Sequence, residues 1–485
     1  MNSNPARQPT RTLGVIGGLG ALAGGDLFYK LLRSQPLLAD QGRYHLLFEQ
    51  HPFRDLELPL EAGARLTSRQ LYVFQAGQRF AERGADALLV PCFASQSVLG
   101  ELQAELPIPI LDLFAALEFP LAQRVVDGAR LGVLASDYVR ASGSFERHFG
   151  DRFELVYPSP RSQARLMEAV YGARGIKRGH LEGEVLEQLH QVCLELQAQG
   201  ATLLLPGMTE LSLVASDLQG RGVPLVDANQ AYADYASSDL AVPAPMPFKL
   251  GVVGGVGPAA TVDFIAKVVQ ETPAGRDQEH LKLVVEQNPQ IPDRTANLLH
   301  GASDPTVALY ATCKRLEDEG AQAIAIPCNT AHAYVERIQG HLRVPIVNML
   351  EETLGYIREH FGEGLPIGLL ATSGTLQSRV YHEVAGRLGL VLKVPDDAGQ
   401  ARVMQAIYGE CGVKAGFTEG QCRQDLRMAA QQLVEMGVRV LILGCTELPL
   451  IQAAGEEVLD GVSVTYVDPT RVLAKRCVKL GLTGR

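Results

Sequence analysis

The sequence predicts an α/β protein of parallel sheets, present as two tandem copies of one domain. Three observations predict this. A set of short strings recurs at a nearly constant offset, and short apolar runs alternate with longer amphipathic stretches along the whole chain. The clearest of these units run from a helical stretch through a glycine into a buried strand and then a cysteine.

The repeat sets the domain count. GVIGGLG at 14–20 returns as GVVGGVG at 251–257, an offset of 237. Asp26 and Asp263 keep that offset, as do Glu49-Gln50 and Glu286-Gln287, MEAVYG at 167–172 and MQAIYG at 404–409, and Thr209-Glu210-Leu211 and Thr446-Glu447-Leu448. PCFASQ at 91–96 and PCNTAH at 327–332 slip by one residue, as do LGVLAS at 131–136 and IGLLAT at 367–372. Solenoid units run to roughly 20–50 residues, so an offset this long means a fused pair of whole domains. The expected domains are 11–240 and 249–485, joined by a linker at 241–248 that Pro243, Pro245 and Pro247 stiffen. A chain of 485 residues exceeds what one hydrophobic core usually serves.

Each copy opens with a strand that runs into a glycine turn. GLGALA at 18–23 and GVGPAA at 255–260 fit a G-x-G-x-x-A dinucleotide pattern, and Glu49 and Glu286 end the next strand. Those acids fall about 29 residues after the last glycine rather than about 20, which weighs against a nucleotide site. Further on, TVALYATCKRLEDEG stops at Gly320 before QAIAIP and Cys328. RQDLRMAAQQLVEMG stops at Gly437 before VRVLILG and Cys445. Asn329-Thr330 and Thr446-Glu447 are expected to cap or open a following helix. Both thiols then lie at carboxyl ends of strands, where open α/β sheets bind ligands and a helix amino terminus would favour a thiolate.

Composition excludes several classes. No apolar run approaches the roughly 18 residues of a membrane span, and a net charge of −10 argues against general affinity for nucleic acid. The amino-terminal MNSNPARQPTRT lacks the apolar core of a secretory signal, and none of the eight cysteines forms a CxxC pair. A cytoplasmic protein with reduced thiols is expected. Cys193, Cys313 and Cys422 fall in helical patterns and read as packing residues. Cys328 and His332 have i, i+4 spacing, but no further Cys/His cluster accompanies them, so no metal is expected.

GGVGPAAT at 254–261, IPDRT at 291–295, PCNTAH, ATSGT at 371–375, IYGECGVKAG at 407–416 and GCTEL at 444–448 together resemble the aspartate/glutamate racemase family, in its aspartate racemase branch. The resemblance covers nearly all of the second half and continues, weakened, through the first. It implies two Rossmann-like lobes per domain with the active site between them. It also implies inversion of an acidic amino acid at Cα without a cofactor, by one cysteine as thiolate base and another as thiol acid. Cys328 and Cys445 match those positions. By the same resemblance Asn329, Thr330, Thr372, Thr375 and Thr446 hold the substrate around its α-carboxylate, and Arg294 and Lys414 hold the distal carboxylate. His332 and Glu447 are candidates for orienting or protonation roles.

The first half departs where it matters. Met208 replaces Cys445, and its thioether has no ionisable proton. Phe93, Ala94 and Gln96 stand for Asn329, Thr330 and His332. Cys92 and Lys177 remain, Ser136 matches Thr372, and Arg54 answers Arg294 only with a three-residue shift. The expectation is a working second domain and a degenerate, supporting or regulatory first one. The chain would then be an internal pseudo-dimer, monomeric or a dimer of fused chains. Two alternatives stay open: an isomerase or decarboxylase of the same fold that uses one cysteine, and a non-catalytic amino-acid-binding protein.

Overall fold

The computed structural model describes residues 11–51, 59–238 and 247–483. Arg54 and most of the expected linker lie outside the described residues. The chain separates into two compact units, Met1–Met246 and Pro247–Arg485.

In the first unit, β1 (Arg11–Ile16), β2 (Tyr44–Glu49) and β3 (Ala87–Leu89) form a parallel sheet in the order β2-β1-β3, with Leu13 level with Leu46 and Ala87. A second parallel sheet joins β4 (Arg130–Ala135), β5 (Glu154–Val156) and β6 (Leu203–Gly207) in the order β5-β4-β6. Each sheet is the centre of one lobe. One continuous apolar core reaches both sheets, from Leu13 and Val15 to Leu131 and Val133, and includes Phe93, Phe114 and Phe145.

The second unit repeats the plan. Its first sheet contains β7 (Lys249–Gly254), β8 (Lys282–Gln287), β9 (Ala323–Ala325) and β10 (Ile346–Val347) in the order β10-β9-β7-β8, all parallel. The other contains β11 (Pro366–Ala371), β12 (Val391–Lys393), β13 (Val440–Gly444), β14 (Gly455–Leu459) and β15 (Val462–Val467) in the order β12-β11-β13-β15-β14. The expectation of purely parallel sheets needs correction here, because β14 and β15 pair antiparallel as a hairpin. Its turn is Asp460-Gly461, both at positive φ (50° and 82°). An Asp-Gly pair between two strands is a hairpin signal that matches strand twist, so this element was legible in the sequence.

The glycine stops behave as expected. The helices Thr306–Asp318 and Gln421–Glu435 are followed by Gly320 and Gly437 at φ 81° and 87°, a backbone region costly for residues with a Cβ. The recurring Asp26 and Asp263 have a structural use. Lys30 lies 2.7 Å from both Asp26 and Asp227, and Lys267 pairs with Asp263 and, at 2.6 Å, with Asp468. These largely buried groups tie each unit's first helix to the start of its last one, Ala228–Ser237 or Pro469–Thr483.

Candidate active site

Both second-half thiols lie just beyond strand ends and line one cavity. Cys328 follows β9, Cys445 follows β13, and their neighbours are Val256, Arg294, Thr295, Asn329, Thr330, Thr372, Tyr408, Lys414, Thr446 and Glu447. After Cys328 the 3-10 turn Thr330–Tyr334 runs on into the α-helix Val335–Gln339, whereas after Cys445 there is only the 3-10 turn Leu448–Leu450, with no side-chain cap from Asn329 or Glu447. Pro449 lies within the second turn. The short turn after Cys445 carries little macrodipole, and charged side chains stand beside both thiols.

Those side chains differ in sign at the two sulfurs. Arg294, 7% exposed, contacts the Cys328 thiol and also donates to the carbonyls of Ile291 and Pro292 at 3.2 and 3.0 Å. Burial disfavours the Arg294 cation, yet Cys328 beside it outweighs this and its pKa lies above the ordinary arginine value. Cys445 instead donates to Glu447 Oε2 at 3.0 Å. Burial, reinforced by the Glu447 carboxylate, pushes the Cys445 thiol well above the usual range. Lys414 Nζ lies 2.6 Å from Glu447 Oε1 and 5.3 Å from the centre of the Tyr408 ring. Burial works against its charge, but Glu447 holds Lys414 protonated, above the ordinary lysine value. Lys414 thus reaches the cavity already engaged by a carboxylate.

The polar wall is a network of hydroxyls. Thr330 Oγ1 lies 2.7 Å from Thr375 Oγ1 and 3.2 Å from Thr372 Oγ1, and Thr295 donates to Thr372 at 3.2 Å. Thr375 is fully buried behind Thr330 and does not line the cavity. Asn329 Oδ1 accepts from the Tyr381 hydroxyl at 2.6 Å, while Asn329 Nδ2 and Arg294 Nε are buried with no partner. Native structures seldom leave such donors empty, and both residues line the cavity.

His332 does not line the cavity. Its Nδ1 lies 2.9 Å from the Cys328 carbonyl, and its Nε2 accepts from the Met349 backbone at 3.1 Å. One donor and one acceptor fix the neutral ring, and burial lowers its pKa further. Neither nitrogen is left for a metal. Tyr408, Thr295 and Val256 were missed as lining residues, although Tyr408 sits inside the IYGECGVKAG string. The Tyr408 hydroxyl donates to Asp293 Oδ2 at 3.2 Å. The glycine turn after β7 also serves this site: a Cβ on Gly257, at φ 111°, would stand 2.7 Å from Glu447 Oε1. Glu286 pairs with Arg315 at 2.9 Å.

The equivalent first-half cavity contains Cys92, Phe93, Ala94, Ser136, Tyr171, Lys177, Met208 and Glu210, with Arg69 beside Cys92. Lys177 pairs with Glu210 as Lys414 does with Glu447. A Cβ on Gly20 would likewise stand 2.7 Å from Glu210 Oε1.

Residues 16–236 and 253–477 each match the model of the Asp/Glu/hydantoin racemase family. The chain belongs to this family. The two matches show the tandem duplication of its domain and put the protein in the racemase class of isomerases. Over 237 residues it is 28% identical to the broad specificity amino-acid racemase RacX of Bacillus subtilis, covering 47% of this chain and 96% of that protein. Over 137 residues it is 31% identical to the glutamate racemase of Methylococcus capsulatus, covering 28% of this chain and 48% of that one. Among solved structures, the Picrophilus torridus aspartate racemase is 28% identical and covers 48% of this chain and 94% of its own, with a TM-score of 0.41. No described helix of this family member is long and apolar enough to cross a membrane, and no group of three or more His, Cys, Asp or Glu among the described residues could hold a metal ion.

Proposed function

We propose that the second half racemises an acidic amino acid, aspartate or glutamate or both, by a two-cysteine thiolate/thiol mechanism, without a cofactor, and that the first half supports it without racemising. The reading is carried by one observation: two thiols share a cavity, with a guanidinium at Cys328 and a carboxylate at Cys445. Arg294 places a positive charge beside Cys328, the base of this reading, while burial and the Glu447 carboxylate favour the thiol form of Cys445, the acid. Cys328 takes the α-proton, leaving a carbanion, and Cys445 delivers its own proton to the opposite face. In the reverse direction Cys445, left as the thiolate, takes the α-proton and Cys328 returns the one it holds.

The ligand groups start from two unsatisfied donors, Asn329 Nδ2 and Arg294 Nε. Asn329 Nδ2 and the hydroxyls of Thr330, Thr372 and Thr446 supply neutral donors for the α-carboxylate, so the reacting centre is held without a cation on it. Arg294 and Lys414, the two cations lining the cavity, hold the distal carboxylate. Thr375 acts through Thr330, and His332 through the backbone of Cys328.

The test is a panel of amino acids in D₂O, with deuterium entry at Cα followed by NMR. Cys328→Ala and Cys445→Ala should each lower exchange by at least about a thousandfold, the scale on which a positioned acid or base acts. Cys92→Ala should leave most of it. Full exchange in either of the first two variants would sink the assignment.

A further inference from the structure

The degenerate site of the first half has not simply emptied. We propose that it binds a short-chain monocarboxylate with an apolar body, the carboxylate resting on Arg69. Arg69 lies on the helix Thr67–Glu82 and is 7% exposed. At the local repeat offset of 236 its counterpart is Pro305, not Arg294, so this cation reaches the cysteine from a different element. Its Nη1 donates to Cys92 Sγ at 3.4 Å. A guanidinium has five N–H donors, and among the described residues Arg69 has no other hydrogen-bond partner and no ion pair. Burying such a cation is costly, and a bound carboxylate would offset that cost with a paired, charge-assisted contact.

The charge balance leaves room for one net negative charge. Lys177 and Glu210 neutralise each other, leaving Arg69 as the uncompensated charge among the described lining residues. The rest of the wall mixes apolar side chains with Ser136, Tyr171 and Thr209. Leu19, Phe93 and Met208 line the cavity at positions equivalent to Val256, Asn329 and Cys445, and Val139 replaces Thr375. An alkyl group packs against these four side chains.

Space agrees with a small ligand. The first-half cavity measures 30 Å³ against 10 Å³ for the second-half one. One water needs about 10–15 Å³ by this measure. Phe93 stacks on Phe145 at 5.7 Å and meets Phe114 edge-on at 5.3 Å, which fixes the inner wall. The half-buried Leu60, Tyr171 and Lys177 are the parts that can yield.

The inference does not rest on the reaction proposed for the second half, so its test uses the full chain carrying Cys328→Ala. Isothermal titration with isovalerate should show one saturable site, weakened at least tenfold by Arg69→Gln and less by Arg69→Lys, with L-aspartate failing to compete. No saturable heat, an affinity within twofold in Arg69→Gln, or equal competition by aspartate would overturn it. A second readout needs no substitution at Arg69. In the unsubstituted chain, isovalerate should slow N-ethylmaleimide labelling of Cys92 at least fivefold by mass spectrometry while the exposed Cys411 is unaffected. Unchanged labelling of Cys92 would refute the proposal even if the Arg69 variants fail to fold.

Discussion

At the scale of single residues, comparing the halves separates structural roles from chemical ones. Gln96 replaces His332, and it does the same work: its Oε1 accepts from the Leu113 backbone at 3.3 Å, as His332 Nε2 accepts from Met349, the equivalent residue. We therefore expect His332→Gln to keep deuterium exchange within about threefold of the parent. His332→Ala, which leaves buried backbone groups unpaired, should lose roughly 1–3 kcal/mol in urea unfolding. Asn329 and Tyr381, hydrogen-bonded at 2.6 Å, are replaced together by Phe93 and Phe145, stacked at 5.7 Å. Asn329→Phe alone strands the buried Tyr381 hydroxyl and should cost roughly 1–3 kcal/mol. Adding Tyr381→Phe should recover most of that stability and none of the racemisation, and a double-mutant cycle on unfolding and exchange measures both. PCNTAH was legible as a chemical motif. That its histidine is a backbone clasp was not, because the partner Met349 is distant in sequence.

At the scale of elements, the glycine turn after β7 holds the thiol's partner in place. Gly257 lets Glu447 approach to where a Cβ would stand 2.7 Å from its oxygen, and its φ of 111° is one that L side chains rarely adopt. Gly257→Ala should push Glu447 off Cys445 and Lys414 and lower kcat at least tenfold, with the circular-dichroism spectrum unchanged. Parent-like kcat would show that Glu447 needs no such approach. The G-x-G-x-x-A string was readable as a tight turn between strand and helix. What the turn accommodates was not, since Glu447 arrives from the other sheet of the same unit. Of the helices expected after the cysteines, the one after Cys328 forms as a 3-10 turn running into Val335–Gln339 and the one after Cys445 stays a 3-10 turn, with Arg294 and Glu447 placing charge at the sulfurs.

Across the whole molecule, buried thiols couple stability to pH. Burial pushes Cys193, Cys313 and Cys477 up to about 12. A thiol raised in the folded state contributes stability that is complete below its unfolded pKa and is lost as pH rises from about 9 towards 12. At pH 10 each should cost about 1.4 kcal/mol relative to pH 7. Urea unfolding at the two pH values measures this, and Cys193→Val should remove one such increment from the first unit. A pH-independent transition would contradict burial of these groups. The cysteine count offered no way to distinguish them from Cys328 and Cys445. Helical spacing did so for Cys193 and Cys313, because a thiol on a helix face that packs inward is a small hydrophobe, while Cys477 was placed in the helix Pro469–Thr483 by the structure.

The sequence by itself determined the duplication, the α/β class, the glycine stops and the family, because each is written in local periodicity or in strings repeated near one offset. Tertiary structure decided which charge meets which sulfur, that Thr375 works through Thr330, that Lys414 is held by Glu447, and that Arg69 stands at Cys92. Those facts depend on side chains from separate strands and helices converging within about 3 Å, the range over which hydrogen bonds and ion pairs act. Spacing along the chain carries no information about convergence of that kind.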